Sequence, residues 1–235
     1  FSLVIPDNKR INHEILVPND QTANAKEGQY VVAELVKYPE KRRKAVARIV
    51  EILGDITTPG LEIGIAVRSH EIPNKWPKTV SREIAQFPKN VSELEREGRF
   101  DLREIPFVTI DGEDAKDFDD AVFAHLHQRG NWTLYVAIAD VSHYVAVGSG
   151  LDKEAINRGT SVYFPGHVIP MLPEKLSNGL CSLKPKVDRL AIVCEMQVSV
   201  KGEMTDYTFY EALIHSHARL TYTEVAEIVQ QAETN

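Results

Sequence analysis

Between two apolar runs, residues 105–110 and 121–126, the chain carries six carboxylates in ten residues: Asp111, Glu113, Asp114, Asp117, Asp119 and Asp120. Lys116 is the only positive charge among them. Strands on either side would hold these acids together. Two like charges about 4 Å apart repel by roughly 1 kcal/mol in water and about 4 kcal/mol at an effective dielectric of 20. A fold that accepts several such pairs needs a compensating charge. A hard divalent cation is the usual one, because Mg²⁺ takes oxygen ligands and often uses one or two carboxylates together with substrate phosphates. The segment therefore reads as a metal site that handles phosphate, carried on a loop between strands.

Other chemistries fit less well. An EF-hand calcium loop wants acids at its first, third and fifth positions and Gly at the sixth. Counted from Asp111, the fifth and sixth are Ala115 and Lys116; counted from Asp114, the third is Lys116 and the sixth Asp119. A solvated acidic turn stays open as a reading, since charge-rich turns are common, but the apolar flanks and Phe118 tie this loop to a scaffold. The pairs His125/His127 and His215/His217 lack the additional Cys or His that a zinc site takes. No nucleophile-elbow, Walker or dinucleotide motif occurs. Asp140, at the end of an apolar run, reads as a helix cap or salt-bridge partner.

The two cysteines, Cys181 and Cys194, lack ligand spacing and read as thiols in a reducing compartment. No apolar run approaches the 18 residues of a membrane span, so no membrane partner is expected. No signal-peptide pattern opens the chain, which makes the cytoplasm the default location. A start at Phe1 without Met suggests a fragment or a processed form. The net charge of −7 is unevenly spread: residues 1–90 hold 14 Lys/Arg against 11 Asp/Glu, and residues 91–235 hold 13 against 23. Six of the later acids lie in the one loop that a metal would neutralise, so the balance argues only weakly against a nucleic-acid ligand.

Residues 1–90 read as short strands, at 14–17, 29–37, 44–53 and 61–67, punctuated by Pro39, Gly54 and Pro59-Gly60. Such spacing suits a small OB-fold β-barrel. Lys41, Arg42, Arg43 and Lys44 fall at a hairpin turn, where they could meet a phosphate backbone, and Tyr30 and Tyr38 could stack on bases. A solvated turn with core tyrosines is equally compatible. Residues 91–104 read as a connecting segment. Beyond it strands alternate with helices at 151–158 and from about 223, the latter opened by a capping-box pattern at Thr221 and Glu224.

The acidic segment, Asp-Gly-Glu-Asp-Ala-Lys-Asp-Phe-Asp-Asp from Asp111, resembles the signature of the ribonuclease II/R family of exonucleases, and its Gly-Glu-Asp-Ala opening is nearer the R branch. The resemblance continues through residues 136–142, 157–165, 169–173, 176–183 and 217–222. It implies an OB-type cold-shock domain (residues 1–90) followed by the N-terminal part of a mixed α/β ribonuclease II-type catalytic domain (residues 105–235, truncated). It further implies processive 3′-to-5′ hydrolysis of single-stranded RNA to nucleoside 5′-monophosphates with Mg²⁺, two ions being expected and Mn²⁺ a substitute. Asp111, Asp117, Asp119 and Asp120 match the family's catalytic, metal-binding aspartates. Tyr163 matches the aromatic near the terminal nucleotide that helps set final product length; without the resemblance it reads as a strand-core tyrosine. The whole protein is expected to be a monomer. The family's later portion supplies an arginine, a further acid and a clamping aromatic, so this chain alone is expected to be weakly active or inactive. The alternative is a non-enzymatic RNA-binding OB protein with a structural acidic loop.

Overall fold

The computed structural model describes residues 1–41 and 43–233 and divides into two compact units, Phe1–Asn74 and Lys75–Asn235. The first holds a four-stranded sheet of β1 (Ser2–Val4), β2 (Ile15–Val17), β3 (Tyr30–Lys37) and β4 (Val46–Gly54), in the order β1-β2-β4-β3. Val17, Ala47 and Ile49 form its small core, with Val4, Ile15, Val31 and Ala33 packed against them. The expected barrel is not closed among the described residues. β1 and β3 are edges, and β2 meets β4 through the single pair Leu16–Val46.

The strand expected at residues 61–67 is instead a helix, α1 (Leu61–Ser69). Alternating Leu61, Ile63, Ile65 and Val67 imitates a strand over so short a stretch. The turn before it decides otherwise. Asp55 accepts hydrogen bonds from the Thr57 backbone and hydroxyl, and Gly60 takes a left-handed φ of +76° that an L-residue would resist. The helix buries Leu61 and Val67 and is tied to β4 by Arg68 on Glu51 at 2.7 Å.

The second unit opens with α2 (Lys78–Gln86) and α3 (Glu93–Arg96), the latter started by the reciprocal Ser92/Glu95 capping box. Its sheet has seven strands: β5 (Phe100–Asp101), β6 (Val108–Asp111), β7 (Asp120–Leu126), β8 (Trp132–Ala139), β11 (Asp188–Val198), β12 (Met204–His215) and β13 (Ala218–Thr221). Their order is β13-β6-β7-β8-β11-β12-β5, with β13/β6 and β12/β5 parallel and the remaining pairs antiparallel. Between β8 and β11 come α4 (Val141–Tyr144), α5 (Gly150–Arg158) and the hairpin β9 (Val162–Phe164) and β10 (His167–Ile169). A wide helical turn at Leu176–Leu180 follows. After β13 runs α6 (Tyr222–Glu233), with Thr221 and Glu224 making the expected capping bonds.

The core gathers Leu190, Val193 and Ile214 from β11 and β12 with Phe107, Leu176 and Leu183 from outside the strands. Asp140 both caps α4, accepting from the His143 N–H, and forms a buried ion pair with Arg99 at 2.7 Å. That pair anchors the end of β8. Residues 91–104 thus carry α3 and β5 and pack within the second unit.

Candidate active site

β6 and β7 share one ladder pair, Val108–Val122, and part beyond it. Each then relies on its other neighbour. Asp111, at the end of β6, lies opposite Thr221 of β13, and Asp120, at the start of β7, lies opposite Ile138 of β8. The acidic loop spans this fork in the sheet.

The loop is fastened from inside. Phe118 is buried in the core, the one large apolar side chain in the acidic run. Its N–H donates to the Ser182 hydroxyl oxygen at 3.1 Å, and that hydroxyl donates to the Lys116 carbonyl at 2.9 Å. The Leu183 N–H donates to the Phe118 carbonyl at 2.8 Å, and the Ala139 N–H to the Asp119 carbonyl at 2.9 Å. From β13, Arg219 donates through Nη2 to the Gly112 carbonyl at 2.7 Å and also to that of Glu113, with its guanidinium 5.6 Å from the Phe118 ring.

The four expected aspartates feel one another. Asp119 has its pKa raised by burial and by the charges of Asp117, Asp120 and Asp111. Asp111 is raised by burial and by Asp120 and Asp117, against opposing pulls from the Thr109 side chain and Arg219. The Asp111 Oδ2 atom is buried with no hydrogen-bond partner. Among the described residues no three His, Cys, Asp or Glu side chains converge closely enough to hold a metal as they stand. The donors nevertheless fit Mg²⁺ in kind: hard oxygens, mutually repelled, one of them orphaned in the interior.

Tyr163, on β9, is not a core residue; its ring is 66% exposed. Its hydroxyl donates to Asp117 Oδ2 at 3.2 Å, and burial of the hydroxyl and the Asp117 charge raise its pKa. Aromatic and aspartate are thus brought together across 46 residues.

A family model described as an RNB domain matches residues 99–235, and another, described as a cold shock domain, matches residues 3–77. The chain belongs to the RNB-domain family. It is 54% identical to ribonuclease R of Vibrio cholerae serotype O1 over 233 residues, and 57% identical to ribonuclease R of Escherichia coli K12 over 227. These alignments cover 99% and 97% of this chain but 28% of each relative's length. Mycoplasma genitalium RNase R in complex with double-stranded RNA superposes with a TM-score of 0.86 at 31% identity, covering 95% of this chain and 40% of that one.

The aspartates, Tyr163, Ser182 and Arg219 all lie in the RNB region. The basic turn lies in the cold-shock region, between β3 and β4, and is only partly free. Arg43 exchanges backbone hydrogen bonds with Glu40, and Lys44 is paired with Glu14 at 2.6 Å. Lys41 is exposed, and Arg42 lies outside the described residues. Tyr30 and Tyr38 are exposed rather than core. Ser182 and Arg219 were within reach of the sequence only as members of the motifs at 176–183 and 217–222. Nothing in their residue type announced that they hold the loop.

Proposed function

We propose that this chain supplies the RNA-binding and first catalytic portions of a Mg²⁺-dependent, processive 3′-to-5′ exoribonuclease that degrades single-stranded RNA to nucleoside 5′-monophosphates. The observation that carries the reading is the fastened fork: four aspartates held on one loop, two of them driven to raised pKa values by burial and by their neighbours. The RNB match and the similarity to ribonuclease R support it, as does the RNA held by the Mycoplasma genitalium relative.

Asp111, Asp117, Asp119 and Asp120 are the residues that would hold two Mg²⁺ ions, with Mn²⁺ as a substitute. When bound, such a pair lowers the pKa of an attacking water and stabilises the leaving oxygen of an in-line displacement. The chain's own residues do the rest. Asp111 and Asp120 are strand-end ligands on opposite arms of the fork. Asp119, the more hemmed in by like charges, is the residue whose loss harms turnover most, and Asp117 completes the set. Tyr163 offers an exposed face to the terminal base, where stacking contributes about 1–3 kcal/mol, and its bond to Asp117 couples that base to the acidic loop. Lys41, Arg42, Arg43 and Lys44 attract the RNA backbone. The whole protein acts as a monomer in the cytoplasm, consistent with the unbridged Cys181 and Cys194.

A 5′-labelled single-stranded RNA should shorten from its 3′ end as Mg²⁺ is added to the full-length protein, and Asp119→Asn should lower the rate by about 10²–10³, the cost of one missing charge-stabilising group. Near-normal turnover in that variant would remove Asp119 from the site. The isolated 235-residue chain should bind RNA yet cleave it weakly or not at all. A second reading, an RNA-binding protein with a structural acidic loop, draws on the lack of a closed ligand cluster among the described residues. It predicts RNA binding without cleavage in the full-length protein as well.

A further inference from the structure

Ser182 is completely buried, yet it is polar and lies directly beneath the acidic loop. Its single hydroxyl is used in both directions. It donates to the Lys116 carbonyl at 2.9 Å and accepts the Phe118 N–H at 3.1 Å, so its two partners flank Asp117 in the chain. The neighbouring residue continues the grip, with the Leu183 N–H on the Phe118 carbonyl, and Ala139 holds the Asp119 carbonyl from β8. Ser182 is itself immobilised. Its N–H bonds the Gly179 carbonyl at 3.2 Å, closing the wide turn at Leu176–Leu180, and its own carbonyl accepts from buried Arg189 Nε at 2.8 Å. A chain of fixed backbone therefore runs from the core to both sides of Asp117 and to Asp119.

A core filler of this size would ordinarily be alanine. A buried hydroxyl carries a desolvation cost that only its hydrogen bonds offset. Here those bonds go to the loop backbone on both sides of Asp117, whose charge repels that of Asp119. On the reading that the aspartates hold divalent cations, we infer that Ser182 is a positioning residue: it fixes the backbone around Asp117 and Asp119 so that only their side chains need turn when the cation arrives. Sites gain from supporting groups that lock their ligands in place, and removing such groups weakens metal binding by about 10–100-fold.

The test compares the full-length protein with Ser182→Ala and with Leu190→Val, a core change in β11 that leaves every loop bond intact. Mn²⁺ binding to metal-stripped protein is measured by electron paramagnetic resonance, alongside the Mg²⁺ concentration for half-maximal RNA shortening, RNA affinity in EDTA, and melting temperature. Ser182→Ala should weaken Mn²⁺ binding and raise the Mg²⁺ requirement by about tenfold or more, with RNA affinity unchanged. Leu190→Val should lower the melting temperature and leave both metal readouts alone. Should Ser182→Ala fail to fold, Ser182→Cys leaves no cavity, puts a slightly larger and weaker donor and acceptor in the same place, and carries the same expectation. Wild-type Mn²⁺ affinity in the Ser182 variant, or an equal loss in Leu190→Val, overturns the positioning role. A wild type that binds Mn²⁺ but does not shorten RNA overturns the exonuclease reading, and the binding measurement still decides Ser182. A wild type that binds no Mn²⁺ overturns both.

Discussion

The acidic loop and the basic turn are both charged connections between antiparallel strands, and they are built in opposite ways. The acidic loop has a buried aromatic at its centre, backbone bonds to two separate parts of the second unit, and an arginine over its opening residues. Among its described residues, Lys41, Arg43 and Lys44 are exposed; the basic turn carries a backbone bridge at Glu40–Arg43 and joins strands whose ladder slips at three places. Like charges meant to grip a small ion at fixed distances must be held against their own repulsion. Cations meant to follow a flexible phosphate chain gain little from being fixed, because that attraction is sequence-independent and long in range. On the proposed function, the clamped loop would serve the chemistry and the open turn the capture of RNA.

The sharpest way to break the contrast is Phe118→Ala. Truncating a buried phenylalanine costs about 3–5 kcal/mol, so urea unfolding should show the second unit strongly destabilised, with cleavage lost as the loop detaches. Tyr38→Ala beside the basic turn should leave stability unchanged, since its ring is 77% exposed. Equal stabilities for Phe118→Ala and wild type would mean that the loop is not anchored as described.

Next in size is the buried Arg99–Asp140 pair. Arg99→Met leaves the Asp140 charge without its cation, a change that costs about 3–5 kcal/mol in comparable interiors, reduced here by the bonds from Ser142 and His143. Burial pushes the Asp140 carboxyl up, but the Ser142 hydroxyl and Arg99 outweigh it and hold the pKa below the ordinary value. A lowered folded pKa contributes stability that is present above the unfolded value, near 3.9, and lost as pH falls through the folded one. Unfolding curves below about pH 4 should therefore steepen with acid in the wild type and flatten in Asp140→Asn.

The acidic loop should show the reverse slope. Asp111 and Asp119 have raised folded values, so in metal-free protein their contribution is favourable at low pH and is lost as pH rises through those values. Asp111→Asn should make the metal-free protein more stable at neutral pH while abolishing cleavage. A loss of stability on that substitution would show that the carboxylate is already satisfied without a cation.

The smallest effect lies in the basic turn. Lys41→Gln and Arg43→Gln should each lower RNA affinity alike for every sequence and reduce the salt slope by roughly 0.7, the single-strand value per phosphate contact. An unchanged slope would take the turn out of the RNA interface.

The legible part of this molecule was local. Carboxylates flanked by apolar runs, the Thr221/Glu224 capping pair, and the strands β3 and β4 are all written in neighbouring residues. What stayed hidden needed distance. Leu61–Ser69 looked like a strand because seven alternating residues cannot reveal the turn geometry set by Asp55 and Gly60. Tyr163 looked like core because its partner, Asp117, is 46 residues away. Ser182 is 66 residues from the carbonyl that it holds. A serine in an apolar motif gives no sign of which backbone it will meet.

The parallel pairing of β13 with β6 carries a consequence for the order of assembly. The arm bearing Asp111 gains its outer neighbour, and its opening residues gain Arg219, only from chain that is synthesised 107 residues later. Long-range parallel pairings close slowly, because loop entropy is spent before the contacts form. Until β13 emerges from the ribosome, β6 has a free edge and the aspartates have no completed frame.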